Sequence, residues 1–141
     1  MSGHASLREA STMIDHIGFA VSDIERSRAF YTRTFAPLGL SELMAVTPEQ
    51  SEAGGTAYGF GKDNNPFFWI GDNEKVGEGT HIALTAATRG EVDAFHIAAL
   101  AAGGRDNGRP GLRAQYGANY YAAFVLDPDG ANIEAVCHAA G

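Results

Sequence analysis

Three side chains in this 141-residue chain have the types that grip a divalent cation: His16, His81 and Glu134. Two imidazole nitrogens and one carboxylate, with positions left open to water or substrate, make the facial donor set of catalytic divalent metals. The surroundings of each residue are informative. Side chains alternate across a strand. In the first patterned segment Ile17, Phe19 and Val21 share a bulky face, and His16, Gly18 and Ala20 share the other. The second histidine repeats this: Ile82 and Leu84 oppose His81, Ala83 and Thr85. Small residues beside a histidine leave space, as a cavity wall requires and a close-packed core does not. Glu134 sits in the apolar run from Ile133 to Cys137, where a buried carboxylate is costly unless paired or bound to a metal. A strand histidine also has an ordinary structural reading as a satisfied core or edge residue, so the residues alone leave a metal site and a structural pair both open.

The two histidines are related by an internal repeat. A shift of 65 residues lays His16-Ile17 on His81-Ile82, Ala29-Phe30 on Ala94-Phe95 and Gly39 on Gly104. It also lays Lys62-Asp63-Asn64-Asn65 on Asp127-Pro128-Asp129-Gly130, both turn sequences. Ser22 with Glu25, and Thr88 with Glu91, have the spacing of a capping box. Each half reads as strand, helix and further strands, module one over 14–71 and module two over 80–138, with a polar, glycine-rich linker at 71–79. In the first module strands are expected at 14–21, 40–47, 56–61 and 67–71, with a helix at 23–36. In the second, a strand is expected at 80–86, a helix from Thr88 to about Ala102, and a hairpin of Tyr120–Leu126 with Asn132–Cys137. Residues 103–119, rich in glycine and carrying Arg105, Arg109 and Arg113, read as a long loop, either a solvated loop or a lid that collects an anionic substrate.

Composition removes several function classes. The net charge of −7 argues against nucleic acid, which needs a concentrated basic patch. No apolar run approaches the roughly 20 residues of a membrane-spanning helix. One cysteine, Cys137, excludes an internal disulfide and an all-cysteine zinc cluster, and the expected setting is cytoplasmic. Residues 1–12 lack the apolar stretch of a secretory signal and read as a tag-like tail, with Met13 as the native start of a single domain over 13–141.

At Asp15-His16-Ile17-Gly18, Ser27-Arg28-Ala29-Phe30-Tyr31, Gly79-Thr80-His81-Ile82-Ala83, and Leu126-Asp127-Pro128-Asp129-Gly130 with Ile133-Glu134 after it, the chain resembles the vicinal oxygen chelate superfamily. That group comprises glyoxalase I, fosfomycin-resistance thiol transferases, extradiol dioxygenases and metal-free bleomycin-resistance proteins. The resemblance implies an α+β fold of two βαβββ modules forming an open eight-stranded cup, a homodimer, and His16, His81 and Glu134 as ligands of Mn, Fe, Ni or Zn. Glyoxalase I has a further glutamate ligand; the 65-residue shift puts Trp69 at that position, and an indole cannot ligate. The function implied is a metal-dependent enzyme on a small oxygen-bearing substrate, a glyoxalase-like lyase or isomerase or a thiol-transfer detoxification enzyme. The alternative is a metal-free small-molecule-binding or drug-resistance protein. Around the metal, Glu134 and Tyr121 are the expected catalytic groups, and Trp69, Phe67, Tyr120, Asn119 and Arg113 the expected substrate contacts, although either tyrosine taken singly reads more readily as an ordinary core aromatic. Trp69 and Phe67 could equally be an apolar floor for a planar substrate or ordinary packing. His96 and His138 read as structural or exposed, and Cys137 as a buried, inert thiol.

Overall fold

A computed structural model describes residues 15–51, 54–77 and 80–141. The expected start at Met13, the tail before it and Gly79 lie outside these residues. The order is β1 (Ile17–Ala20), α1 (Ile24–Phe35), a 3-10 turn (Ala36–Leu38), β2 (Ser41–Val46), β3 (Ala57–Lys62) and β4 (Asn65–Gly71). The second module repeats it as β5 (His81–Thr85), α2 (Arg89–Ala101), β6 (Arg105–Leu112), β7 (Tyr121–Leu126) and β8 (Asn132–Cys137). The fold is therefore α+β, two βαβββ modules, as the repeat requires. Each module makes its own four-stranded sheet, in the orders β1-β4-β3-β2 and β5-β8-β7-β6.

The registers preserve the repeat residue by residue. In module one Gly18 pairs with Trp69 and Trp69 with Gly59. In module two Ala83 pairs with Glu134 and Glu134 with Phe124. The two rows are equivalent at the 65-residue shift. The β3–β4 hairpin turns through Asp63 and Asn64, both at positive φ (54° and 60°). That is the two-residue geometry whose twist suits a hairpin, and Asp and Asn tolerate it better than other side chains.

Residues 103–119 differ from the loop expected of them, since Arg105–Leu112 is the edge strand β6, paired with β7. Its sequence, RDNGRPGL, shows no apolar alternation because it is exposed and irregular, with register breaks between Asp106 and Gly108 and between Gly108 and Gly111. A proline is tolerated there because an edge strand leaves one row of backbone groups unpaired. The first helix cap also differs. Asp23, not Ser22, caps α1 by accepting from the Arg26 N–H. Thr88 caps α2 as expected, accepting from the Glu91 N–H, while Glu91 accepts from the Ala87 N–H.

The modules meet through their helices. Phe30, Tyr31 and Phe35 of α1 are buried in the same core as Val92, Phe95 and Ala99 of α2. Around them Phe35 packs edge-on to Phe68 (centroids 4.8 Å apart) and Phe19 edge-on to Phe68 (5.5 Å), the arrangement that aromatic quadrupoles favour. Gly103, at φ 104°, ends α2 after Ala102, and Gly104 follows where a Cβ would come within 2.8 Å of the Phe30 ring and 2.9 Å of the Ala99 carbonyl oxygen. The β7–β8 turn is tied to α1: the Tyr31 hydroxyl donates to Asp127 (2.7 Å), and the Ser22 N–H (3.0 Å) and hydroxyl donate to Asp129. Asp127 is buried and also accepts from the N–H groups of Asp129 (2.9 Å) and Ala131 (2.8 Å). Burial pushes its carboxyl above the ordinary range, and those hydrogen bonds pull it back only in part.

Ala in place of Asp127 would strand a buried hydroxyl and two backbone donors; the expected cost is about 2–4 kcal/mol in denaturant unfolding, with Asp127→Asn much milder. A second expectation concerns β6. His96, buried on α2, holds the Asp106 carboxylate at 2.9 Å, and this contact, with the Gly108 N–H, lowers the Asp106 pKa. A lowered folded value means that the contribution of Asp106 is complete above its unfolded value of 3.8 and is lost as pH falls through the folded one. Acid titration of stability should therefore be flatter below pH 3.8 in Asp106→Asn than in the parent.

Candidate functional site

The bulky face of each sheet packs on the helices, so the small-residue face turns away from them. On sheet two this outer face carries His81, Ala83, Glu134 and Phe124. Nε2 of His81 lies 2.5 Å from Oε2 of Glu134. The same oxygen accepts from Nδ2 of Asn132 (2.8 Å), and Oδ1 of Asn132 accepts from Nδ2 of Asn107 (3.1 Å). The carboxylate side chain is only 7% exposed and the imidazole 61%. Glu134 is thus fixed from below while His81 reaches toward solvent. A pocket of about 260 Å³ opens over the pair, lined by His81, Ala83, Tyr116, Tyr120, Phe124 and Glu134. Burial and the nearby Glu134 carboxylate raise the Tyr120 pKa, with Arg113 acting weakly against them, so its hydroxyl stays protonated and can donate at neutral pH. The Tyr120 ring also packs on Tyr116 (5.3 Å) and His138 (5.3 Å).

Sheet one presents the equivalent outer face. His16 stands just before β1, exposed, with Nδ1 2.7 Å from Oδ1 of Asp15. Trp69 lies between Gly18 and Gly59, its Nε1 donating to the Pro66 carbonyl (3.0 Å). Beside it is a cleft of about 220 Å³ whose walls include Gly18, Ala20, Ala57, Trp69 and Gly71. Phe67, which the β3–β4 register skips at an irregularity, packs against the edge of the core rather than standing on the outer face with Trp69.

One chain therefore unites His81, Glu134 and Tyr120 but leaves His16 and Trp69 on the other sheet. Among the described residues no three His, Cys, Asp or Glu side chains gather as metal ligands would. Tyr121 departs from its expected place near Glu134. It pairs with Cys137, on the opposite face of the sheet from the Phe124–Glu134 pair. Its hydroxyl donates to Asp93 of α2 (2.6 Å), which raises its pKa, and Arg89 stacks on its ring. Arg113 spends two nitrogens on the carbonyls of Gly111 (2.8 Å) and Arg109 (2.7 Å) and stacks on Phe124 (4.9 Å), so it buttresses a pocket wall rather than lining it. Asn119 is exposed in the turn before β7 and is also absent from the pocket lining. Cys137 is buried, its sulfur accepting from the Ala139 N–H (3.4 Å). Two contributors escaped the sequence reading: Asn132, two residues before Glu134 on the same strand face, and Phe124, its cross-strand neighbour. Strand pairing was the signal that could have found them.

The chain has the Glyoxalase/Bleomycin resistance protein/Dioxygenase superfamily signature over residues 13–135, and it belongs to that superfamily. Among solved structures it resembles a glyoxalase/bleomycin resistance protein from Albidiferax ferrireducens T118, with a TM-score of 0.71, 26% identity, and coverage of 89% of this chain and 98% of that one. It also resembles glyoxalase I from Zea mays, with a TM-score of 0.64 and 25% identity, covering 87% of this chain but 43% of that longer one. A family enzyme from Burkholderia phytofirmans PsJN, 18% identical with a TM-score of 0.66, covers 91% of this chain and 100% of that one, and shares the fold. None of the curated proteins matches. No described helix is long and apolar enough to cross a membrane.

Proposed function

We propose that the protein is a divalent-metal-dependent enzyme acting on a small oxygen-bearing substrate, with lyase, isomerase or thiol-transfer chemistry, and that two copies of the chain build each site. The observation that carries this reading is the His81–Glu134 contact at 2.5 Å, set at the base of a pocket on a sheet face that has no use for it as packing. An imidazole nitrogen and a carboxylate oxygen fill two positions of a Mn, Fe, Ni or Zn centre and suit Mg or Ca less well. The third donor is the partner subunit's His16. Within one chain that imidazole belongs to a sheet whose small-residue face turns away from the shared helices, just as the face of sheet two does. A twofold dimer can bring sheet one of each copy against sheet two of the other, closing two cups at once. The length of the Zea mays chain, of which this chain covers 43%, is consistent with a unit that works in pairs.

A divalent ion in that site would act as a Lewis acid, stabilising charge that develops on a substrate oxygen. The chain's own groups do the rest. Asn132 holds the Glu134 carboxylate in one orientation. Tyr120 offers a protonated hydroxyl to the pocket, and Tyr116 and Phe124 keep its wall apolar.

Metal analysis and chain mixing test this. Protein purified without chelator should hold about one ion per chain, and His16→Ala or His81→Ala should each abolish it. Denaturing and refolding the two variants together should restore roughly a quarter of the parent sites, because half the dimers are mixed and each has one intact site. No restoration places the ligands within one chain and overturns the shared site. A parent that takes up none of Mn, Fe, Ni or Zn overturns the metal enzyme in favour of a metal-free binding protein.

A further inference from the structure

Register and repeat together single out Trp69. The row Gly18–Trp69–Gly59 of sheet one is the counterpart of Ala83–Glu134–Phe124 of sheet two. The two rows exchange bulk. Where β8 carries the carboxylate, β4 carries the indole. Where β7 carries the phenyl ring opposite it, β3 carries no side chain at all. The exchange has a steric reason: a Cβ on Gly59 would lie 2.7 Å from Cζ2 and 2.8 Å from Cε2 of Trp69. The indole therefore lies down over the β3 backbone, and only glycine permits it. On the other side a Cβ at Gly18 would come within 3.4 Å of the Trp69 Cβ. The bond from Nε1 to the Pro66 carbonyl fixes the rotation of the ring. Trp69 is half-buried rather than exposed, and the cleft beside it has a floor of Gly18, Ala20, Ala57 and Gly71. A large aromatic side chain held flat against glycine backbone, next to a floor without bulk, is a surface shaped for another flat group. The rim of the cleft is polar and acidic, with exposed Asn73 and Glu74.

We propose that Trp69, laid on Gly59, is a stacking platform for a planar aromatic ligand that is uncharged and carries a hydroxyl or amine donor. Offset stacking on an immobilised indole adds to apolar burial without a further ordering cost. The Glu74 carboxylate at the rim favours a hydrogen-bond donor and opposes a carboxylate on the ligand. As a statement about substrate, the inference rests on the shared two-chain site, which sets the platform across the cup from His81 and Glu134. As a statement about binding, it rests on sheet one alone.

Trp69 is the sole tryptophan of the chain, so its emission reports directly on the platform. The probes are 2-naphthol, its saturated counterpart decahydro-2-naphthol, and 2-naphthoate, titrated by calorimetry and, for 2-naphthol, by Trp69 emission. The expected result is saturable binding of 2-naphthol with a change in emission, and an affinity about threefold to tenfold above that of the saturated probe. Naphthoate should bind more weakly than naphthol. Trp69→Leu should bring the flat and saturated probes to equal affinity, and Gly59→Ala, which lifts the ring, should weaken naphthol while retaining a displaced tryptophan emission. Thermal melts verify that both variants fold. Equal affinities in the parent, or an unchanged preference in Trp69→Leu, overturn the platform; tighter naphthoate than naphthol overturns its assigned polarity. Metal content, measured on the same samples, separates this result from the proposed enzyme. An aromatic preference in protein that takes up no metal leaves the platform standing and removes the metal chemistry, and metal without the preference does the reverse.

Discussion

Two amphipathic layers sharing one core determine everything that follows in this protein. Each helix must bury its apolar stripe, and each sheet must bury its bulky face. Here the two helices do this against one another as well as against their sheets, with Phe30 and Tyr31 of α1 in the same core as Val92 and Phe95 of α2. Once the helices occupy the middle, the remaining faces of both sheets are forced outward. Those faces carry the small residues, the two histidines, the glutamate and the indole. The candidate site residues are thus displayed on two separate surfaces of one chain, because the arrangement that buries the helices turns both small-residue faces outward.

The tie between the modules is polar as well as apolar. Asp127 serves two ends with one carboxylate: it closes its own β7–β8 turn through two backbone donors and receives the Tyr31 hydroxyl from the other module. Burial works against the charged form, so the hydrogen bonds offset a real desolvation cost. A turn that stops β8 from sliding also fixes Glu134, which lies seven residues further along. The position of the carboxylate under the pocket therefore depends on contacts made on the far side of the sheet.

Much of this was legible in the sequence, for identifiable reasons. Alternation in Ile17–Ala20 and His81–Thr85 put each histidine on the small-residue face because period-two patterning survives whenever one face is buried. Thr88 was readable as a cap because its hydroxyl has only a local partner. Ser22 was misread because its hydroxyl and N–H turn instead to Asp129, 107 residues away, a partner that no local spacing reveals. The edge strand β6 was invisible because an exposed, bulged strand with Gly108, Pro110 and Gly111 keeps none of the alternation that marks a buried one. Tyr121, at the start of a strand with both faces apolar, reads as a cup residue or a core residue; the β7–β8 register decides it, pairing it with Cys137 and turning it to α2.

The relative placement of the modules lay further out of reach. A repeat states that His16 and His81 are equivalent, and equivalence under a pseudo-twofold is compatible with two histidines that meet on the axis or with two that face away from it. Which of these holds is decided by what covers the helices, and helix pairing leaves no periodic mark in the chain. The departure from strict duplication is more telling than the duplication itself. The two sheets differ at several equivalent positions, Ala20 against Thr85, Phe67 against Asn132 and Trp69 against Glu134 among them, and some differences are coupled within their own sheet: the indole at Trp69 lies where Gly59 has no side chain, and the Glu134 carboxylate accepts from Asn132. The two outer faces therefore differ in kind: one carries a buried carboxylate paired with an imidazole, the other an indole laid on glycine backbone.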